Sequence, residues 1–216
     1  MMGFCVFCGG STESRDHVPS KVFLDSPYPA NLPVVPACDP CNGGFSRDEQ
    51  YVACLIACAQ AGATEPDAVK RLKIRRILRQ TPWLASRLAD ARQVESGSTV
   101  FSVETERVQN VVLKLARGHA AFELNEPRLD APSHIAFSPF TAIDDKIRVE
   151  FESPPISSVF PEVGSRAMQQ LVVTRPGASR WLTVQPDRYR YMTSVADGVN
   201  VRGAISEYLA FEVRWP

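Results

Sequence analysis

The chain contains no apolar run approaching the roughly 20 residues that cross a bilayer as a helix. Its opening, MMGFCVFCGG, has neither the basic segment nor the apolar segment of a signal peptide. These absences lead us to expect a cytoplasmic protein with no membrane partner. An excess of either charge is missing too, since 24 basic residues balance 24 acidic ones. No overall field holds the molecule on a polyanion, so any such binding must come from a local cluster. There is no internal repeat, low-complexity segment or long flexible linker. What is present is enough for a core: 216 residues, 44% of them apolar, accommodate one large domain or a small module joined to a larger one.

Six cysteines in a chain without an export signal read as thiols or metal ligands, because the cytosol keeps thiols reduced. Cys5 and Cys8 form one Cys-x-x-Cys pair and Cys38 and Cys41 a second. At this spacing four thiolates can close a tetrahedral shell around Zn²⁺. The segment between them is poor in apolar residues and carries Pro27, Pro29, Pro33 and Pro36, so it cannot fold on its own core. Structural zinc would stabilise it by an apparent ~10–16 kcal/mol. With all four positions filled by protein, that zinc is a staple and no Lewis acid. Cys54 and Cys58, four apart in YVACLIACAQAG, read as small buried hydrophobes of a helix, with a second metal site as the alternative.

Helical signals follow the second pair. FSRDEQYVACLIACAQAG has Ser46 as candidate N-cap, Asp48 and Glu49 in the first turn and Gly62 at the end. DAVKRLKIRRILRQTPWLASRLADA predicts two helices, the second starting at Pro82. Lys70, Arg71, Lys73, Arg75, Arg76 and Arg79 form a local basic cluster there, readable as a phosphate-binding face or as the solvated side of an amphipathic helix. In VETERVQNVVLKLARGHAAFEL, Val108, Val111, Val112, Leu115, Ala116, His119 and Phe122 recur at helical steps, which makes His119 a hydrogen-bonded core residue. His134 has no ligand partner at useful spacing. KIRVEFES, QQLVVTR, SRWLTVQ, RYRYMTSV, NVRGAI and EYLAFEVRW read as short strands of a mostly antiparallel sheet, with RPGA and ADGV as turns.

The chemistry-bearing residues stand within the cysteine frame: Asp16, His17 and Asn31 between the pairs, and Asn42 just after Cys41. Neutral imidazole can take a proton from water near pH 7. A carboxylate and a side-chain amide are hard oxygen ligands suited to Mg²⁺ or Mn²⁺. A base beside a hard divalent ion can hydrolyse a phosphodiester. A bland reading exists, in which Asp16 caps, Asn42-Gly43 turns and His17 meets a carbonyl.

In order, spacing and neighbours, CVFC, RDHVPSK and NLPVVPACDPCN together resemble the HNH endonucleases with a four-cysteine zinc site, over residues 5 to 50. The resemblance implies an N-terminal zinc-stapled ββα-metal finger, treble-clef-like, over residues 1–62, and with the patterns of the rest the chain reads as α+β. Residues 63–216 would add central helices and the C-terminal, mostly antiparallel β-sheet. It implies structural zinc on Cys5, Cys8, Cys38 and Cys41, His17 as general base, and Asn31 bracing the loop that carries it. Asp16 and Asn42 would hold a catalytic Mg²⁺ or Mn²⁺. The implied activity is hydrolysis of DNA, with RNA as the other candidate substrate. Two departures stand out: Phe45 occupies a position often basic in the family, where Arg47 is the substitute, and Pro33, Val34 and Val35 could shift the hairpin register. The alternative function is a non-catalytic finger binding nucleic acid or protein. The C-terminal region is a candidate for a homodimer or protein-partner surface.

Overall fold

The structure, a computed structural model, describes residues 3–95, 97–155, 159–173 and 180–216. In chain order its elements are β1 (Ser14–His17), β2 (Val34–Ala37), α1 (Asp39–Gly44), α2 (Ser46–Ala61), α3 (Leu72–Gln80), α4 (Pro82–Ala91), β3 (Arg92–Glu95), β4 (Ser98–Phe101), α5 (Thr105–Leu124), β5 (His134–Pro139), α6 (Asp145–Glu152), α7 (Arg166–Val173), β6 (Leu182–Gln185), β7 (Tyr189–Ala196), β8 (Gly198–Ile205) and β9 (Leu209–Trp215). They divide into two units, Met1–Gly44 with Val112–Pro216, and Phe45–Val111.

The unit Phe45–Val111 is built around α2, whose Tyr51 to Cys58 run is entirely buried. Phe45, and not Ser46, occupies the N-cap of α2 and no side chain caps it; the helix ends at Gly62 in the left-handed region, where φ is 65°. Pro82 opens α4 as expected, because the first helical turn has no partner for the amide that proline lacks. The antiparallel pair β3–β4 follows. Cys54 and Cys58 are fully buried, and burial pushes their thiols up to about 12 and about 11. They pack as hydrophobes.

The other unit holds the pair β1–β2 near its start and a five-stranded antiparallel sheet ordered β5-β9-β8-β7-β6. Phe140, Phe151, Ala204 and Ala210 form one of its buried clusters, against which Trp181 packs. Gly203 stands opposite Phe211, and a Cβ there would lie 2.2 Å from the ring, so the glycine admits the aromatic.

Two expected strands are helices. KIRVEFES folds as α6, with Asp144 capping through a 2.9 Å bond from the Ile147 amide. Its alternation of Ile147, Val149 and Phe151 imitates a half-buried strand, yet only Phe151 is buried. Residues 166–173, including most of QQLVVTR, form α7, where the Ser165 hydroxyl accepts from the Met168 amide at 3.1 Å. Positions 174 to 179, with the RPGA turn, lie outside the described residues.

Candidate functional site

Four sulfurs converge near the start of the chain. The ligand atoms of Cys5, Cys8, Cys38 and Cys41 lie within 4.8 Å of one another, with Cys8 Sγ 3.7 Å from Cys38 Sγ. Zinc–sulfur bonds of about 2.3 Å in a tetrahedron hold sulfurs about 3.8 Å apart, so the cluster has the dimensions of a zinc shell. Its supports are local. The first pair rides a tight turn in which Gly9 donates to the Cys5 carbonyl at 2.8 Å and Cys5 to that of Gly10 at 2.8 Å. Gly9 has φ of 77°, which a side chain would strain. The second pair enters α1, where the Asn42 amide bonds the Cys38 carbonyl at 3.0 Å. Burial raises the Cys5 thiol, but backbone hydrogen bonds at Cys38, Phe7 and Cys8 outweigh it and bring it down to about 7. Amides aimed at a sulfur favour the thiolate that a metal requires. The Cys41 thiol is instead raised by burial and by its neighbouring cysteines, and that of Cys38 is raised too, a backbone hydrogen bond at Cys41 being outweighed by burial and the neighbouring cysteines. It is therefore the convergence of the four sulfurs that could hold a structural zinc.

The ribbon above this cluster pairs without a bulge: Ser14 with Ala37, Arg15 with Pro36, Asp16 with Val35 and His17 with Val34. Pro33, Val34 and Val35 therefore do not disturb its register. Alternation along β1 puts Asp16 on the buried face with Val35, and Arg15 and His17 on the opposite face with Pro36 and Val34. His17 is half-buried. Burial lowers its pKa below 6.5, Lys21 and Lys114 lower it further, and Asp16 opposes them. The ring is thus biased toward the neutral form that can accept a proton.

Asp16 has a partner that the sequence reading did not include. Lys114, 1% exposed in its side chain, places Nζ 2.8 Å from Asp16 Oδ2. The same ammonium donates to Ser20 Oγ at 2.6 Å and to the His17 carbonyl at 3.5 Å. It belongs to a face of α5 that clasps the N-terminal segment. Arg117, one turn on, donates to the carbonyls of Phe7, Leu129 and Asp130 at 3.2, 3.0 and 3.1 Å. Gly118 lies so near Val18 that an added Cβ would be 2.5 Å from its Cγ2. The spacing 114, 117, 118 is one helical face. A lysine inside the apolar stripe of α5 was the available signal.

Asn42 Nδ2 donates to Ser14 Oγ at 3.3 Å and is 3.5 Å from the Arg15 carbonyl, so α1 is tied to the side of β1. Asn31 stands exposed before β2, and among the described residues no hydrogen bond joins it to His17. The end of the ribbon is closed instead by the Val18 amide on the Pro33 carbonyl at 2.9 Å. As hard donors, Asp16 and Asn42 offer one carboxylate already sharing charge with Lys114 and one amide. Such a set fits Mg²⁺ or Mn²⁺ only as a weak site completed by water and substrate phosphate.

The basic cluster is partly spent within its own unit. Arg71 is buried. Arg75 donates twice to the Val69 carbonyl, at 3.3 and 3.0 Å, and Arg79 pairs with Asp67. Lys70, Arg76 and Arg47 are exposed, and Lys73 is half-buried. His119 is a core residue, fully buried and 2.8 Å from Tyr189 Oη, with its ring stacked on Tyr191 at 3.6 Å. His134 begins the edge strand β5 opposite Arg214. No helix among the described residues is long and apolar enough to cross a membrane. No family model, curated protein or solved structure matches the chain.

Proposed function

We propose that this protein is a metal-dependent endonuclease of the HNH type, hydrolysing phosphodiester bonds of DNA with His17 as general base. The observation that carries the reading is the coincidence, on one short ribbon, of a four-thiol cluster at its base, Asp16-His17 at its end and Asn42 bound to its side. In this reading β1, β2 and α1 would form the ββα-metal finger. Cys5, Cys8, Cys38 and Cys41 would hold a zinc that keeps this frame rigid and takes no part in the reaction.

His17 receives the proton of the attacking water as its oxygen bonds to phosphorus, and the P–O bond to the leaving oxygen breaks. Asp16 and Asn42 would hold Mg²⁺ or Mn²⁺, which would supply neutralisation of the charge that develops on the phosphate and the leaving oxygen. The contact of Lys114 with the His17 carbonyl fixes the backbone from which the imidazole projects. Asn31 is proposed to brace that loop, and Arg47 with Lys70, Arg71, Lys73, Arg75, Arg76 and Arg79 to supply strand contacts; Arg47, Lys70, Arg76 and Arg79 are the exposed members, Arg79 being paired with Asp67.

The ion pair between Lys114 and Asp16 favours a second reading, a finger that binds nucleic acid or a protein partner without cutting, because the expected metal ligand already has a cation. Plasmid nicking separates the two. Wild type with Mg²⁺ or Mn²⁺ is expected to nick, and His17→Ala to lose at least a hundredfold in rate, in line with the contribution of a positioned base of about 10²–10⁴, at unchanged zinc content. Cleavage at the wild-type rate by the variant would remove His17 as base. Zinc-loaded wild type inert toward both DNA and RNA would establish the binding module.

A further inference from the structure

We propose that a cavity between the β1–β2 ribbon and the C-terminal end of α5 receives one unstacked nucleobase of a nucleic-acid strand, with Arg15 holding its attached phosphate. This rests on the endonuclease reading for its substrate class and names a subsite for it. The cavity measures about 320 Å³ and lies between the ribbon and the C-terminal end of α5. Its lining includes Thr12, Arg15, Val34, Val35, Pro36, Phe122 and Asn125, and not His17. Arg15, Val34 and Pro36 project from the ribbon face that carries His17, and Val34 is the direct cross-strand partner of His17.

The chemistry of the walls selects the occupant. A volume near the lower end of ligand pockets, about 300–1,000 Å³, suits one ring system and not a folded polymer or a dinucleotide. Phe122, Val34 and Pro36 offer apolar and aromatic surface to a flat ring. Asn125 and Thr12 bring donors and acceptors to its edge, the Asn125 amide able to do both. The Arg15 side chain is exposed and, among the described residues, makes neither ion pair nor hydrogen bond, so its planar fork is open to a phosphate. A base stacked in a duplex cannot enter such a recess. The strand must present it unpaired or flipped out.

The test is calorimetric, on the full-length, zinc-loaded protein without added magnesium, so that nothing turns over. The probes are deoxynucleoside 5′-monophosphates, deoxyribose 5-phosphate and inorganic phosphate. Wild type is expected to bind the monophosphates at least tenfold more tightly than the base-less sugar phosphate. Phe122→Ala should abolish that preference and leave sugar-phosphate binding unchanged, whereas Arg15→Ala should weaken all phosphorylated probes about tenfold or more. Phe122→Leu keeps apolar bulk on α5 but no ring; it should lose the preference too, and zinc content establishes that each variant is folded. Equal binding of monophosphate and sugar phosphate by wild type, or a preference that survives in both Phe122 variants, would overturn the proposal. The two readings fail separately. Phe122-dependent binding without any cleavage keeps the subsite and removes the nuclease, and His17-dependent cleavage without base preference does the reverse.

Discussion

Lys114 puts a buried positive charge against Asp16 at the heart of the candidate site, and the cost of that burial is met by the carboxylate and the Ser20 hydroxyl. Truncating one partner strands the other. Lys114→Ala should therefore cost about 3–5 kcal/mol in urea unfolding. Because both charges vanish together in Lys114→Met with Asp16→Asn, the double variant should recover most of that loss. A single-variant cost below about 1 kcal/mol would mean that Asp16 is solvated or otherwise paired in solution. The four cysteines and the Asp-His pair could be named from sequence because each lies in a short motif. For Lys114 only its place inside the apolar stripe of α5 was readable, and its partner was not, since the contact joins positions 98 residues apart.

At the scale of elements, α5 acts through the face formed by Lys114, Arg117 and Gly118. Alanine is ordinarily worth about 1 kcal/mol over glycine inside a helix. At position 118 the opposite is expected, because a Cβ would meet both Val18 methyls, at 2.5 and 2.9 Å. Gly118→Ala should lower stability by about 1–3 kcal/mol, the usual cost of overpacking. Adding Val18→Ala should relieve it. An increase in thermal stability of Gly118→Ala alone would show that Val18 does not sit against the helix.

How far the elements were legible depended on what encoded them. The helices α2, α3, α4 and α5 carry apolar periodicity and end signals such as Pro82 and Gly62, and all were legible. So were β7, β8 and β9, whose β-branched and aromatic runs span seven or eight residues. The α6 segment misled because a two-residue apolar alternation was read ahead of the Asp144 cap that outweighs it. The β3–β4 pair left no readable pattern, its strands being four residues each and largely exposed.

For the molecule as a whole, everything proposed for the site depends on four thiolates closing around one ion. They come from both ends of the segment 5–41, which has the ribbon as its only strands. Removing the metal should therefore release β1, β2 and the residues they display, whereas the five-stranded sheet has its own buried cluster of Phe140, Phe151, Ala204 and Ala210. The measurement that meets this claim most directly is zinc-edge X-ray absorption on the purified protein, alongside its metal content. One zinc per chain with four sulfurs at about 2.3 Å is the expected result. A protein that folds without zinc, or a shell in which nitrogen or oxygen replaces sulfur, would contradict the account.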